Sequence, residues 1–162
     1  MKIATLAEIK KNLNQLTDKE LVEVITLMAK SSVDNKKFLF FHLYGRDNPN
    51  LFTEMVEEEL EMEFQKASTY NYHTAKKSAQ KIRRIMNKLL KYNKDKATQL
   101  ELIAFFCEKM VEEGYLRHRH PVIDNLYRIQ VGKIEKLQMG LHEDLQYDYQ
   151  ERIDALKKSI RK

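Results

Sequence analysis

One cysteine, two prolines, four glycines and no tryptophan in 162 residues leave this chain poor in the residues that staple, break or bend a backbone. The lone Cys107 excludes an internal disulfide framework and fits a reducing compartment. The longest apolar run, Phe38 to Phe41 extended by Leu43 and Tyr44, is far too short to cross a bilayer. The opening Met1-Lys2-Ile3-Ala4-Thr5 has neither the apolar stretch nor the cleavage site of a secretory signal, so the expectation is a cytoplasmic protein with no membrane partner. Also missing are a glycine-rich phosphate loop, a Gly-x-Ser-x-Gly elbow, a His-Glu-x-x-His pair and the Glu-x-x-His pairs of di-iron bundles. Those absences favour a protein that is not an enzyme and implies no cofactor, metal or small-molecule ligand.

What is present is helical pattern. Thr5-Leu6-Ala7-Glu8 and Thr17-Asp18-Lys19-Glu20 have the capping-box form, in which the threonine hydroxyl and the glutamate carboxylate satisfy amide donors of a first helical turn. Leu21, Val24, Ile25 and Met28 follow at the spacing of a one-sided stripe. Asp34 is placed to cap a third helix that ends at Gly45, although the run around Phe38 also reads as a buried strand. Asn48 and Pro49 open a fourth helix, about 49–67, with Phe52, Met55, Val56, Leu60 and Phe64 inward. A fifth, about 72–93, turns Ala75, Ala79, Ile82, Met86 and Leu89 to the core. A sixth, about 96–112, stops at Gly114, is apolar nearly all round, and carries Cys107 on a buried stripe with Leu100, Ile103, Ala104 and Val111. After Pro121 a last helical region breaks near Gly132 or Gly140, with Leu141, Leu145, Ile153, Leu156 and Ile160 in register. The expectation is one all-α domain over 1–162, a bundle or short helical-hairpin array of six to eight helices, with 121–162 able to extend from it.

Charge is distributed unevenly along this frame. Lys and Arg number 8 against 12 Asp and Glu in residues 1–64, 10 against 1 in 65–99, and 11 against 11 in 100–162, so the overall +5 hides a strong local polarity. On the fourth helix Glu54, Glu57, Glu58 and Glu61 form an acidic row; on the fifth Lys77, Lys81, Arg84, Lys88 and Lys91 form a basic stripe opposite the core face. Such a stripe suits the repeated phosphates of a nucleic acid, with Tyr70, Tyr72 and Tyr92 nearby to stack on bases. A basic face beside an acidic one also suits a protein partner or a second copy. His118 and His120 read as surface residues of a cationic loop, since no ligand spacing for a metal accompanies them.

The opening Leu6, Ile9, Leu13, Leu16, Thr17, Glu20, Leu21, Ile25 and Leu27, the segment Ala75-Lys76-Lys77-Ser78-Ala79, and the closing Gly140-Leu141-His142-Glu143-Asp144-Leu145 with Tyr149 resemble a family of bacterial all-helical domains of unknown function. That resemblance implies the fold and no activity. In the closing motif, Gly140, His142, Asp144 and Tyr149 read as structural, with His142 and Asp144 tying the last helix to the bundle by hydrogen bonds. The reading that joins these observations is a non-enzymatic interaction module for a protein partner or its own copies, with nucleic-acid binding through residues 76–96 as the alternative.

Overall fold

A computed structural model describes residues 2–160, which form eight α-helices and two 3₁₀ turns, with no strand among the described residues. The run around Phe38 is helical. The chain groups into two compact units, residues 1–47 and 48–162.

The first unit holds α1 (Leu6–Leu13), α2 (Asp18–Ser31) and α3 (Val33–Tyr44), with α2 packed on α3. Both capping boxes form: the Thr5 amide donates to Glu8 Oε2 at 2.7 Å, and the Thr17 amide to Glu20 Oε2 at 2.8 Å. These bonds hold both carboxyls below their ordinary range. Ser32, not Asp34, caps α3; its hydroxyl accepts from the Asp34 amide at 3.1 Å, which leaves Asp34 in the first turn. No residue of the three helices is buried, and Ile25 and Met28 of the expected α2 stripe are exposed. A stripe's spacing names the face and says nothing about what covers it.

The second unit carries the core. It comprises α4 (Leu51–Lys66), α5 (Tyr72–Leu89), a 3₁₀ turn (Leu90–Tyr92), α6 (Lys96–Glu112), a second 3₁₀ turn (Tyr115–His118), α7 (Pro121–Gln138) and α8 (Glu143–Lys158). The central helix is α6, which packs against α4, α5, α7 and α8 and buries residues on every side, from Leu100 through Phe106 to Met110. Phe64 of α4 meets Phe106 at 5.6 Å and Tyr115 edge-on at 5.8 Å between ring centres. Gly114 ends α6 in the left-handed region at φ 75°, where a side chain is strained. Gly140 lies in the connection between α7 and α8, whereas Gly132 is accommodated inside α7.

Several expected details differ. Asn50 begins α4, so Pro49 lies before the helix rather than in its first turn. Met55, Val111 and Leu145 are exposed, at the fringes of stripes whose centres are buried. The fifth helix tightens into the 3₁₀ turn after Leu89, where Gln99 Nε2 reaches across from α6 to the carbonyls of Leu90 (3.3 Å) and Asn93 (2.9 Å). Gln130 of α7 is wholly buried, and neither Oε1 nor Nε2 of its amide has a hydrogen-bond partner.

Candidate polyanion-binding surface

Asn71 starts α5 by accepting from the Thr74 amide at 3.0 Å. From there Ala75, Ala79, Ile82, Met86 and Leu89 are all buried. With one face pinned to the core, the 3.6-residue period turns Lys77, Lys81, Arg84, Lys88 and Lys91 outward, and all five are exposed. Fourteen residues separate Lys77 from Lys91, so the row runs about 21 Å along the helix. Lys81 pairs with Glu63 of α4 at 2.5 Å and Arg84 Nε donates to the Gln80 carbonyl at 3.3 Å. Lys77 and Lys91 have no ion pair among the described residues. At the N-terminal end of the stripe a pocket of about 350 Å³ opens between α4 and α5, lined by Lys66, Lys77 and Lys81 together with Ser68, Thr74 and Ser78. Glu63, in contact with Lys66 and Lys81, offsets part of that charge.

The acidic row turns the other way. Glu61 pairs with Lys109 of α6 at 2.7 Å, a bond that lowers the pKa of its carboxyl. Glu57 is half-buried beside an α6–α8 ion cluster in which Arg152 donates to Glu101 at 2.6 Å and to Glu108 at 2.5 and 2.8 Å. Burial, reinforced by Glu101 and opposed by Arg152, pushes the Glu57 carboxyl up. Glu54 and Glu58 remain exposed. Two of the four glutamates are therefore occupied by cations or burial within the unit.

The aromatic and histidine residues cluster near the start of α5. Tyr70 is 94% exposed, and Tyr72 stacks on the His120 ring at 4.8 Å. His118 is half-buried rather than a free surface residue, with Nε2 2.8 Å from the Thr69 carbonyl; this draws the loop before α7 onto the approach to α5. His120 caps α7, accepting from the Val122 amide at 3.3 Å. Tyr92 is half-buried within the 3₁₀ turn.

The closing motif acts locally. His142 and Asp144 are exposed; His142 Nδ1 accepts from the Asp144 amide at 3.4 Å and caps α8 instead of tying it to the bundle. The tie expected of that pair is supplied by Lys96, whose Nζ donates to the Gly140 carbonyl at 3.4 Å, and by Gln138 Nε2, which donates to the Gln146 carbonyl and the Gln150 side chain. Tyr149 is half-buried near Glu101, and burial raises the pKa of its hydroxyl. Cys107 is wholly buried and its thiol pKa strongly raised by that burial, which removes the thiolate a nucleophile needs. No group of three or more His, Cys, Asp or Glu is placed to hold a metal among the described residues, and no described helix is long and apolar enough to cross a membrane.

Two cations that the sequence pattern does not join to the stripe lie near its end: Lys133 and Lys136 of α7 line one cleft together with Lys91 and Lys94. Their spacing of three residues on one helix was the available signal, hidden in a segment whose charges sum to zero. Comparison of the chain with protein-family models, with curated proteins and with solved structures finds no match.

Proposed function

We propose that this chain is a non-enzymatic helical module that binds single-stranded nucleic acid through the phosphates, along the outward face of α5. The observation that carries the reading is that Lys77, Arg84 and Lys91 stay exposed and without an acidic partner among the described residues, while part of the acidic row of α4 is engaged by α6 and α8. A row of ammonium and guanidinium groups along about 21 Å releases counterions from a phosphate backbone when it binds one. The exposed ring of Tyr70 favours a single strand, since stacking needs an unpaired base. No base-reading motif accompanies the stripe, so the contacts carry little sequence preference.

The test is fluorescence anisotropy of labelled single- and double-stranded DNA and RNA with the nucleic-acid-free protein and a Lys77→Glu/Arg84→Glu variant, over a range of salt. Lys81 is left intact because its removal would also take away the shorter of the two ion pairs of Glu63. The variant should bind more weakly, and the slope of log affinity against log salt for single strands should flatten by about 1.4 if each cation neutralises one phosphate. Equal binding and equal slopes in the two proteins overturn the reading. A second reading, association of copies through acidic and basic faces, draws on the exposure of Glu54 and Glu58; it requires a salt-sensitive rise in mass by light scattering that the same variant abolishes.

A further inference from the structure

The cleft beyond the C-terminal end of α5 differs in kind from the open stripe. Its volume is about 400 Å³, within the range of small-ligand sites. Lys91, Lys94, Lys133 and Lys136 line it, no carboxylate does, and none of the four lysines has an ion pair among the described residues. Leu90, Ile103 and Leu137 contribute apolar surface between them.

Two features make this a built site. The segment that carries Lys91 and Lys94 is held from α6: Gln99 Nε2 donates to the carbonyls of Leu90 and Asn93, and Asn93 Oδ1 accepts from the Asp95 amide at 2.8 Å. Lys133 and Lys136 stand three residues apart on α7, a like-charge pairing that costs about 0.2 to 0.5 kcal/mol in a helix. The competing explanation is that these cations only offset the negative ends of α5 and α7, which finish at Leu89 and Gln138. Two such ends amount to about −1 elementary charge, against +4 from the lysines, so about +3 remains in the concavity. One phosphate group carries about −1.5 to −2, and two adjacent phosphates match the excess.

We propose that this cleft binds a compact run of linked phosphates, a diphosphate or triphosphate group of a small molecule. The cleft shares Lys91 with the stripe, and its other three lysines, Lys94, Lys133 and Lys136, lie outside it. It is tested by isothermal titration of the full chain, at physiological salt, with inorganic tripolyphosphate, inorganic phosphate and adenosine triphosphate. Tripolyphosphate should bind with one-to-one stoichiometry and inorganic phosphate about tenfold or more weakly. Lys133→Gln/Lys136→Gln should weaken tripolyphosphate about tenfold through loss of two charge-assisted contacts, whereas Lys77→Glu/Arg84→Glu should change it less than about twofold. Lys94→Gln, on a loop, provides a second variant should the helix pair disturb folding, and should weaken binding about threefold. Tighter binding of adenosine triphosphate than of tripolyphosphate assigns the phosphates to a nucleotide that also uses the apolar surface; the reverse order assigns them to an inorganic chain. Absence of saturable binding, several equivalents bound per chain, or equal weakening in the α7 and stripe variants overturns the site. A protein that binds tripolyphosphate yet shows no stripe-dependent nucleic-acid binding would overturn the proposed function alone.

Discussion

Arg152→Met strands three carboxylates. In the native protein the Arg152 guanidinium donates to Glu101 from Nη1 and to Glu108 from Nε and Nη2, holding α8 against α6 with Glu57 of α4 alongside. The side chains of Arg152, Glu101 and Glu108 are 27%, 30% and 33% exposed, so the cluster lies between two regimes. Breaking a fully buried pair costs about 3 to 5 kcal/mol, and an exposed pair is worth about 1 or less. A loss of about 2 kcal/mol is expected at pH 7, read by urea unfolding followed by far-ultraviolet circular dichroism. The pH dependence has a definite sign. The Glu57 carboxyl is already raised in the folded protein, so its contribution to stability is complete below the ordinary carboxylate range and declines as pH rises through the raised value. Removing Arg152 removes the one cation that opposes that shift, and it leaves Glu101 and Glu108 to repel Glu57 and each other. The loss should therefore be larger at pH 7 than at pH 4, where protonation of the raised Glu57 carboxyl removes its share of the repulsion. Adding Glu101→Gln and Glu108→Gln to Arg152→Met should restore most of the loss at pH 7, because stranded charge rather than lost contact dominates. A loss below about 0.5 kcal/mol, or one of equal size at the two pH values, would refute this reasoning and leave burial of Ile153 and Leu156 as what seats α8.

Two further substitutions probe the polar groups of the interior. Tyr127→Phe removes the buried hydroxyl that donates to the Leu156 carbonyl at 2.9 Å; that carbonyl keeps a longer bond from the Ser159 amide, so the loss should be about 1 kcal/mol, a fall of about 4 °C in Tm by calorimetry. Gln130→Met places an apolar side chain of similar length where a wholly buried amide has no partner. It should raise stability by about 1 kcal/mol in urea unfolding, and a loss instead would mean that the amide is satisfied in solution.

These experiments fall where the sequence is least informative, for a physical reason. The core face of α5 was legible residue by residue, because the 3.6-residue period converts spacing directly into direction: Ala75, Ala79, Ile82, Met86 and Leu89 were expected inward and all are buried. The same rule turned Lys77 through Lys91 outward. It placed Met55, Val111 and Leu145 on inward stripes as well, and there it failed, because the width of a buried stripe depends on where the neighbouring helix ends. Unit 1 shows the limit more sharply: the α2 spacing is regular, yet Leu21 and Val24 are only half-buried and Ile25 and Met28 are exposed. Pairing of charges lay further out of reach. Arg152 meets Glu108 across 44 residues, and Glu61 meets Lys109 rather than the basic stripe, so the two rows that look complementary in the sequence turn to different neighbours. The cleft lysines carry the point to its end. Lys133 and Lys136 sit in a stretch whose net charge is zero, and only the packing of α7 beside α5, start to start and end to end, brings them to Lys91 and Lys94. A charge sum taken along the chain averages over faces that the fold separates, and a site assembled from several helices and a turn is visible only once their order of packing is known.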